Sequence, residues 1–254
     1  MKVLLIGATG NVGLRLVSAL LTHGHNVVAH VRSAQKLESL LPESVYRQLS
    51  VIEGSAFDAN SIKIAILDNN CDAVVNSAGL AAVTPWGKSD LPRIVAAVVE
   101  GARQAGAERK KPLRVWFLGG MGALQFPEAN ALLSDHVPIL LDHCRNLALL
   151  KSLPPNTLDW SMLCPSNMDP ESSDFSVPTK SSHAKLTSSA QTPPLWRDSW
   201  LKHIPLIGKI IVIVMNITRY GTTLEQNADF IATDLETLDS PYIGTQVGII
   251  DASK

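Results

Sequence analysis

The chain has 254 residues, 46% of them apolar and 18% charged, with a formal net charge of −1. That length buries a substantial core as one α/β domain, and the composition excludes a disordered chain. The near-neutral balance gives no electrostatic pull toward nucleic acid or an anionic membrane, so neither is expected as a partner.

Lys2 to Ile6 reads as a short apolar strand at the start of the chain, which predicts no leader segment ahead of the fold. Gly7, Gly10 and Gly13 follow in the spacing G-x-x-G-x-x-G, and Leu14 to Leu21 continues with apolar residues at helical spacing. Strand, glycine turn and helix in that order predict a dinucleotide site. A pyrophosphate needs backbone N–H donors at a helix N-terminus, where unpaired amides and the helix dipole favour an anion. Gly7 permits the tight turn, Gly10 the close approach of a phosphate, and Gly13 the packing of the helix. Thr9, Asn11 and Val12 complete the expected cradle. The competing reading is a strand-to-helix turn that merely needs glycine.

Asn26 to Val31 is a second strand, ending at Arg32. A strand that selects NAD usually ends on a carboxylate, which bonds the ribose hydroxyls. Here Arg32 and Ser33 stand at the tip, with Lys36 one helical turn on. Arg32 can fork a 2′-phosphate and Ser33 can add a hydroxyl donor, so NADP(H) is expected ahead of NAD(H). The alternative makes Arg32 and Lys36 a solvated face. A short helix is expected over Gln35 to Leu41, a third strand over Leu49 to Glu53, and a helix over Asp58 to Leu67. Asp58 is placed either to bond the adenine amino group or to cap that helix. A fourth strand, Asp72 to Asn76, runs into Ser77, Ala78 and Gly79, which are expected beside the middle of the dinucleotide.

Leu91 to Ala107 has a long helical pattern. Leu113 to Leu118 is a fifth strand closed by Gly119 and Gly120. One helix is expected over Ser134 to Ser152 with Ser134 as its N-cap. Leu158 to Leu163 is a sixth strand closed by Pro165. This alternation predicts a Rossmann-like, doubly wound parallel sheet with helices on both faces and ligands at the carboxyl ends of the strands.

Beyond Pro165 the pattern weakens. Asp169 to Leu195 reads as a loop or mobile flap. Trp196 and Trp200, four apart, share a face if helical, either as core, the simpler reading, or as a cover for a flat, apolar substrate. Ile204 to Ile217 is apolar but too short to span a bilayer, and reads as a buried strand or helix, a pocket wall, or a homodimer contact. Thr222 to Leu238 is expected to be helical and Gln246 to Ile250 to be a last strand. The whole is expected to be a single domain, with residues 1–168 as cofactor core and 169–254 as flap and substrate-side lobe. Cys71, Cys144 and Cys164 show no metal-ligand spacing, so no metal site is expected. Their odd number fits a reducing, cytoplasmic setting.

GATGNVG at 7–13, HVRSAQKL at 30–37, NSAG at 76–79 and LDWSMLCPSNM at 158–168 together resemble the atypical short-chain dehydrogenase/reductases. Within them the chain is most similar to the NmrA-like and flavin-reductase-like NAD(P)-binding proteins. The resemblance covers roughly residues 1–168 and implies a Rossmann fold that binds NADP(H). It does not fix a substrate, because that branch holds reductases, isomerases and redox-sensing regulators.

Typical members place Ser after the fifth strand and Tyr-x-x-x-Lys in the next helix. Here the strand ends Leu118-Gly119-Gly120-Met121-Gly122, and Leu147 stands four residues before Lys151. His143 in the same helix is the candidate proton carrier, with His136 as an alternative and an ordinary surface histidine as the competing reading. Pro165, Ser166 and Asn167 follow the sixth strand, where contacts to the nicotinamide carboxamide and the substrate are expected; a plain turn after Pro165 is the competing reading. Met121 and Met168 suit either a pocket wall or the core. His183 and Lys185 are further candidates in the flap, and Tyr220 in the C-terminal part. Three functions fit these residues: an NADP(H)-dependent oxidoreductase on a small apolar carbonyl or quinone-like substrate, a non-catalytic NADP sensor, or an isomerase, cyclase or dehydratase on the same scaffold.

Overall fold

Short apolar runs alternate with amphipathic ones, and each pair folds as a strand followed by a helix. The computed structural model describes residues 1–127, 129–171, 180, 182–237 and 239–253. β1 (Lys2–Ile6), α1 (Asn11–Thr22), β2 (Asn26–Val31), α2 (Ala34–Leu40), α3 (Glu43–Tyr46), β3 (Ser50–Glu53) and α4 (Ala59–Asp68) come first. β4 (Ala73–Asn76), α5 (Leu91–Arg109), β5 (Arg114–Leu118), α6 (Asp142–Lys151) and β6 (Asp159–Leu163) follow. The chain continues with β7 (Met168–Asp169), β8 (Leu186–Ala190), α7 (Gly208–Ile217), β9 (Thr222–Thr223), α8 (Leu224–Asp234) and β10 (Thr245–Asp251).

One eight-stranded sheet has the order β3-β2-β1-β4-β5-β6-β10-β8. Its pairings are parallel except for β8, which runs antiparallel to β10 at the edge. The fold is therefore Rossmann-like. The winding reverses between β1 and β4, and that switch point opens a crevice at the strands' carboxyl ends.

Both faces of the sheet are apolar because both are covered. Val3 and Leu5 of β1 pack with Leu16 and Leu20 of α1 and with Ala228 and Ile231 of α8. Leu4 and Ile6, pointing the other way, pack with Ile62 of α4 and with Val95 and Val98 of α5. Buried polar ties hold α8 in place. Arg15 Nε donates to Glu225 Oε1 at 3.0 Å, and Arg114 Nη2 and Trp116 Nε1 donate to Asp234 Oδ2 at 2.7 and 2.9 Å.

Several expectations need correction. The single helix over Ser134–Ser152 is broken: Leu133–Asp135 is a lone 3-10 turn and α6 starts at Asp142. Pro138 interrupts helical hydrogen bonding, and Leu140 takes a left-handed φ of +52°. Ser134 caps nothing, and its Oγ lies 3.0 Å from Cys144 Sγ. The segment 169–195 is not all loop: Asp169 belongs to β7, Ser182–Lys185 forms a 3-10 turn, and Leu186–Ala190 is the edge strand β8. An edge strand faces solvent, so its Thr-Ser-Ser sequence carries little apolar signal. Residues 172–179 and 181 of that predicted flap, and Leu238 of the predicted last helix, lie outside the described residues. The apolar run 204–217 yields α7, which buries only one face. Trp196 and Trp200 do not share a face: Trp196 stacks edge-on against Phe126, whereas Trp200 opens a 3-10 turn and is 75% exposed.

Candidate dinucleotide-binding site

Gly7 follows β1 with a φ of +92°, a conformation that disfavours a side chain. A Cβ there would also lie 2.6 Å from the Ala78 amide nitrogen, so the turn rests directly on the loop after β4. Gly10 opens α1 in extended geometry and offers no side-chain cap. The first-turn amides of Asn11, Val12 and Gly13 thus remain for an anion, at the positive end of the helix dipole. Gly13 faces inward, where a Cβ would stand 2.0 Å from the Gly7 carbonyl oxygen. The bare backbone at this helix start fits a pyrophosphate.

A cavity of about 780 Å³ extends from this turn, a volume suited to an organic cofactor with a substrate. Gly7, Thr9, Gly10, Asn11 and Val12 line it, as do Arg32 from the tip of β2 and Ser77, Ala78 and Gly79 from the end of β4. His143 and Met168 contribute to the same wall, with Leu80, Ala81, Leu118 and Gly119. The expected cradle, the tip of β2 and the α6 histidine, far apart in sequence, are therefore brought together.

The wall is braced from behind. Asp142 is buried, and its Oδ2 accepts from the Ala82 amide at 3.0 Å and from Ser89 Oγ at 2.7 Å. Its Oδ1 accepts from Arg145 Nη1 at 2.8 Å. This ties the 80–89 loop to the first turn of α6, beside His143. Burial pulls the His143 pKa down to about 4, with Asp142 opposing, so the imidazole is neutral at physiological pH. Its Nδ1 is sealed from solvent and has no hydrogen-bond partner among the described residues. Gly120 makes room for the ring: a Cβ there would be 2.7 Å from His143 Cδ2.

Other predicted residues lie at or behind the rim. Ser33 caps α2, its Oγ accepting from the Lys36 amide at 3.2 Å, and Lys36 is exposed. Asp58 caps α4 by accepting from the amides of Asn60 and Ser61 at 2.9 and 3.2 Å. It lines a neighbouring depression with Glu53 and Ser61 rather than the main cavity. Pro165 is buried and its carbonyl accepts from the Met121 amide at 2.8 Å, while Ser166 is half-buried beside it. Met121 is core, His136 sits edge-on to Phe126, and His183 bonds Asp229 on α8. Tyr220 is buried, its hydroxyl donates to the Pro194 carbonyl at 2.5 Å, and burial pushes its pKa up to about 12.

Sequence reasoning missed the far side of the cavity. His30 lines it from inside β2, with Nε2 3.0 Å from Ser61 Oγ and Nδ1 unpartnered among the described residues. Gly54 leaves the space this ring fills: a Cβ there would be 2.3 Å from His30 Nε2. Ala56 and Phe57 add to this end, and Arg93 stacks over the Phe57 ring at 5.0 Å. The glycine immediately after β3 was the available sign of a close approach.

Residues 7–191 match the model of an NAD(P)H-binding family. An uncharacterized sugar epimerase, YhfK of Bacillus subtilis, is 35% identical over 112 residues, which is 43% of this chain and 50% of that protein. The chain thus spans about half the length of that curated relative. Two solved structures share the fold. A short-chain dehydrogenase/reductase from Veillonella parvula in complex with NADP has a TM-score of 0.62 at 16% identity, over 99% of this chain and 94% of its own. ChuY, an anaerobillin reductase from Escherichia coli O157:H7, has a TM-score of 0.62 at 16% identity, over 100% and 98%. With its glycine turn, switch-point cavity and matched family model, the chain belongs to the NAD(P)H-binding family, in keeping with its resemblance to the atypical short-chain dehydrogenase/reductases.

Proposed function

We propose that this chain is an NADP(H)-dependent oxidoreductase acting on a small, largely apolar carbonyl or quinone-like substrate. The observation that carries the reading is the continuity of one cavity from the glycine turn and Arg32 to His143 and Met168. The α1 amides would hold the pyrophosphate, and the Arg32 guanidinium would fork a 2′-phosphate at the adenosine end. The nicotinamide supplies or accepts a hydride when bound. Leu80, Ala81, Leu118 and Met168 add apolar lining to the same cavity, which suits an apolar substrate.

The helix that resembles the family's catalytic helix carries Leu147 where the family has tyrosine, and Tyr220 is sealed with a raised pKa. A neutral His143 is suited to donate a hydrogen bond to a substrate oxygen through Nε2, not to release a proton as an imidazolium. Quinone-like acceptors need little proton help at the hydride step, and they fit that arrangement. Positioning then supplies most of the acceleration, a term that reaches roughly 7–11 kcal/mol in well-oriented reactions.

Calorimetric titration with NADPH, NADP and NADH tests the binding half of the reading. A panel of quinones and aromatic carbonyls, followed by absorbance of the reduced nicotinamide, tests the chemistry. Micromolar NADPH binding with substrate-dependent oxidation is expected. Leu147 in place of the family's tyrosine also favours a second reading, a non-catalytic NADP sensor, which predicts tight binding without oxidation. Product formation with no net change in NADPH would instead point to an isomerase, cyclase or dehydratase.

A further inference from the structure

The face of α7 that points away from the protein is apolar. Val214, Met215 and the preceding Ile207 are each more than half exposed, and Ile210 is 38% exposed. Leu206, at the turn into the helix, is 98% exposed. The opposite face is apolar too, with Val212 and Ile213 buried. Contiguous aliphatic exposure along one face of a helix marks a surface that another apolar phase or molecule covers.

The unit is firmly built. Asn216 Nδ2 donates to the Arg197 carbonyl at 2.8 Å, and the Arg197 amide donates to Asn216 Oδ1 at 3.0 Å. This fastens α7 to the segment that leads into the 3-10 turn, where Trp200 projects into solvent. The charge is distinctive as well. Residues 195–219 carry Arg197, Lys202, Lys209 and Arg219 against the single carboxylate of Asp198, which pairs with Lys202, while Lys209 lies over the Phe126 ring; the rest of the chain has 18 cationic and 22 acidic residues. The whole-chain charge of −1 hides this segregation.

We propose that α7 and its preceding turn dock this protein on an anionic lipid surface. Exposed aliphatic residues and a tryptophan beside lysine and arginine are the features of a segment that lies in the headgroup region. No helix among the described residues is long and apolar enough to cross a membrane, so the contact is peripheral. A second copy of the chain is the rival occupant. In a two-fold contact the patch meets itself, which sets cations against cations, whereas anionic lipid complements them.

The test is sedimentation of the full chain with phosphatidylcholine vesicles and with vesicles in which about a third of the lipid is phosphatidylglycerol. Binding to the anionic vesicles is expected to exceed binding to the neutral ones by about tenfold and to weaken as salt rises. Leu206→Glu combined with Val214→Glu changes two exposed positions. It is expected to lower vesicle binding by about tenfold while leaving the thermal melt unchanged. Absence of vesicle binding, equal binding to both lipids, or unchanged binding by the double variant would overturn the proposal. A dimer in light scattering that the double variant splits would assign the face to a second copy instead.

Discussion

The carbonyl oxygen of Gly7 lies 2.0 Å from the point that a Cβ on Gly13 would occupy. The first and last glycines of the motif thus serve each other, and only the middle one is left to a ligand. Gly13→Ala must push α1 off the turn, an overpacking that costs about 3 kcal/mol. A fall in Tm of roughly 10 °C is expected in the absence of ligand. Gly10 differs: its Cβ would meet only the Gly7 oxygen at 3.4 Å, and its extended backbone accepts a β-branched residue. Gly10→Val is therefore expected to melt like the wild type and to lose NADPH binding. Unchanged NADPH affinity in calorimetry would remove the phosphate from this turn.

Arg32 is exposed at the tip of β2 and lines the cavity, with no carboxylate beside it on that strand end. Under the proposed function, Arg32→Glu exchanges a guanidinium fork for a repulsive charge at the 2′-phosphate. NADPH affinity is expected to fall about a hundredfold and NADH affinity to change by only a few fold. Equal losses for both dinucleotides would detach Arg32 from cofactor choice.

The cofactor half of this site was legible because its physics is local. A turn that needs left-handed glycine and a bare helix start leave their mark within the seven residues from Gly7 to Gly13. The end of β2 was legible as a strand end, and the structure places Arg32 there on the cavity wall. What the sequence concealed was set by distant partners. His30 reads as one more residue of a buried strand, and only its packing through Gly54 against Ser61 places it on the cavity wall. Asp58 had two roles open to it, and the structure displays the local one, capping α4. The break before α6 was signalled by Pro138, but a strong apolar pattern on both sides masked it. β8 escaped notice because an edge strand does not need an apolar face.

His143 makes stability depend on pH. Its pKa is near 4 in the folded protein against an ordinary value of 6.5, so between those values the unfolded chain binds a proton that the native one does not. Stability therefore falls as pH drops from 6.5 toward 4, and this contribution is constant below that. The loss is on the order of 3 kcal/mol. Burial also lowers the pKa of His25, His30 and His136, which act in the same direction. In urea melts across this range, His143→Gln is expected to flatten part of the slope and leave the rest. An unchanged slope would mean that the His143 ring is hydrated in solution.

Asp142 offers a test of the wall itself. Its Oδ2 holds both the Ala82 amide and Ser89 Oγ, and these bonds fix the loop that carries Leu80 and Ala81. Asp142→Ala leaves a half-buried amide and a half-buried hydroxyl without their acceptor, at a cost of about 1 kcal/mol. Ser89→Ala removes one donor to Asp142 and the acceptor of the Leu91 amide at 3.3 Å but leaves the Ala82 bond in place, and should cost less. The distinguishing readout is hydrogen exchange. Amides of residues 80–90 are expected to exchange faster in Asp142→Ala, while those of α1, which Asp142 does not touch, keep their wild-type rates. If protection is lost evenly through both segments, Asp142 supports the fold at large and does not specifically brace this loop. If it is lost only at 80–90, then under the proposed function weaker substrate affinity is the expected consequence, because this loop lines the cavity through Leu80 and Ala81.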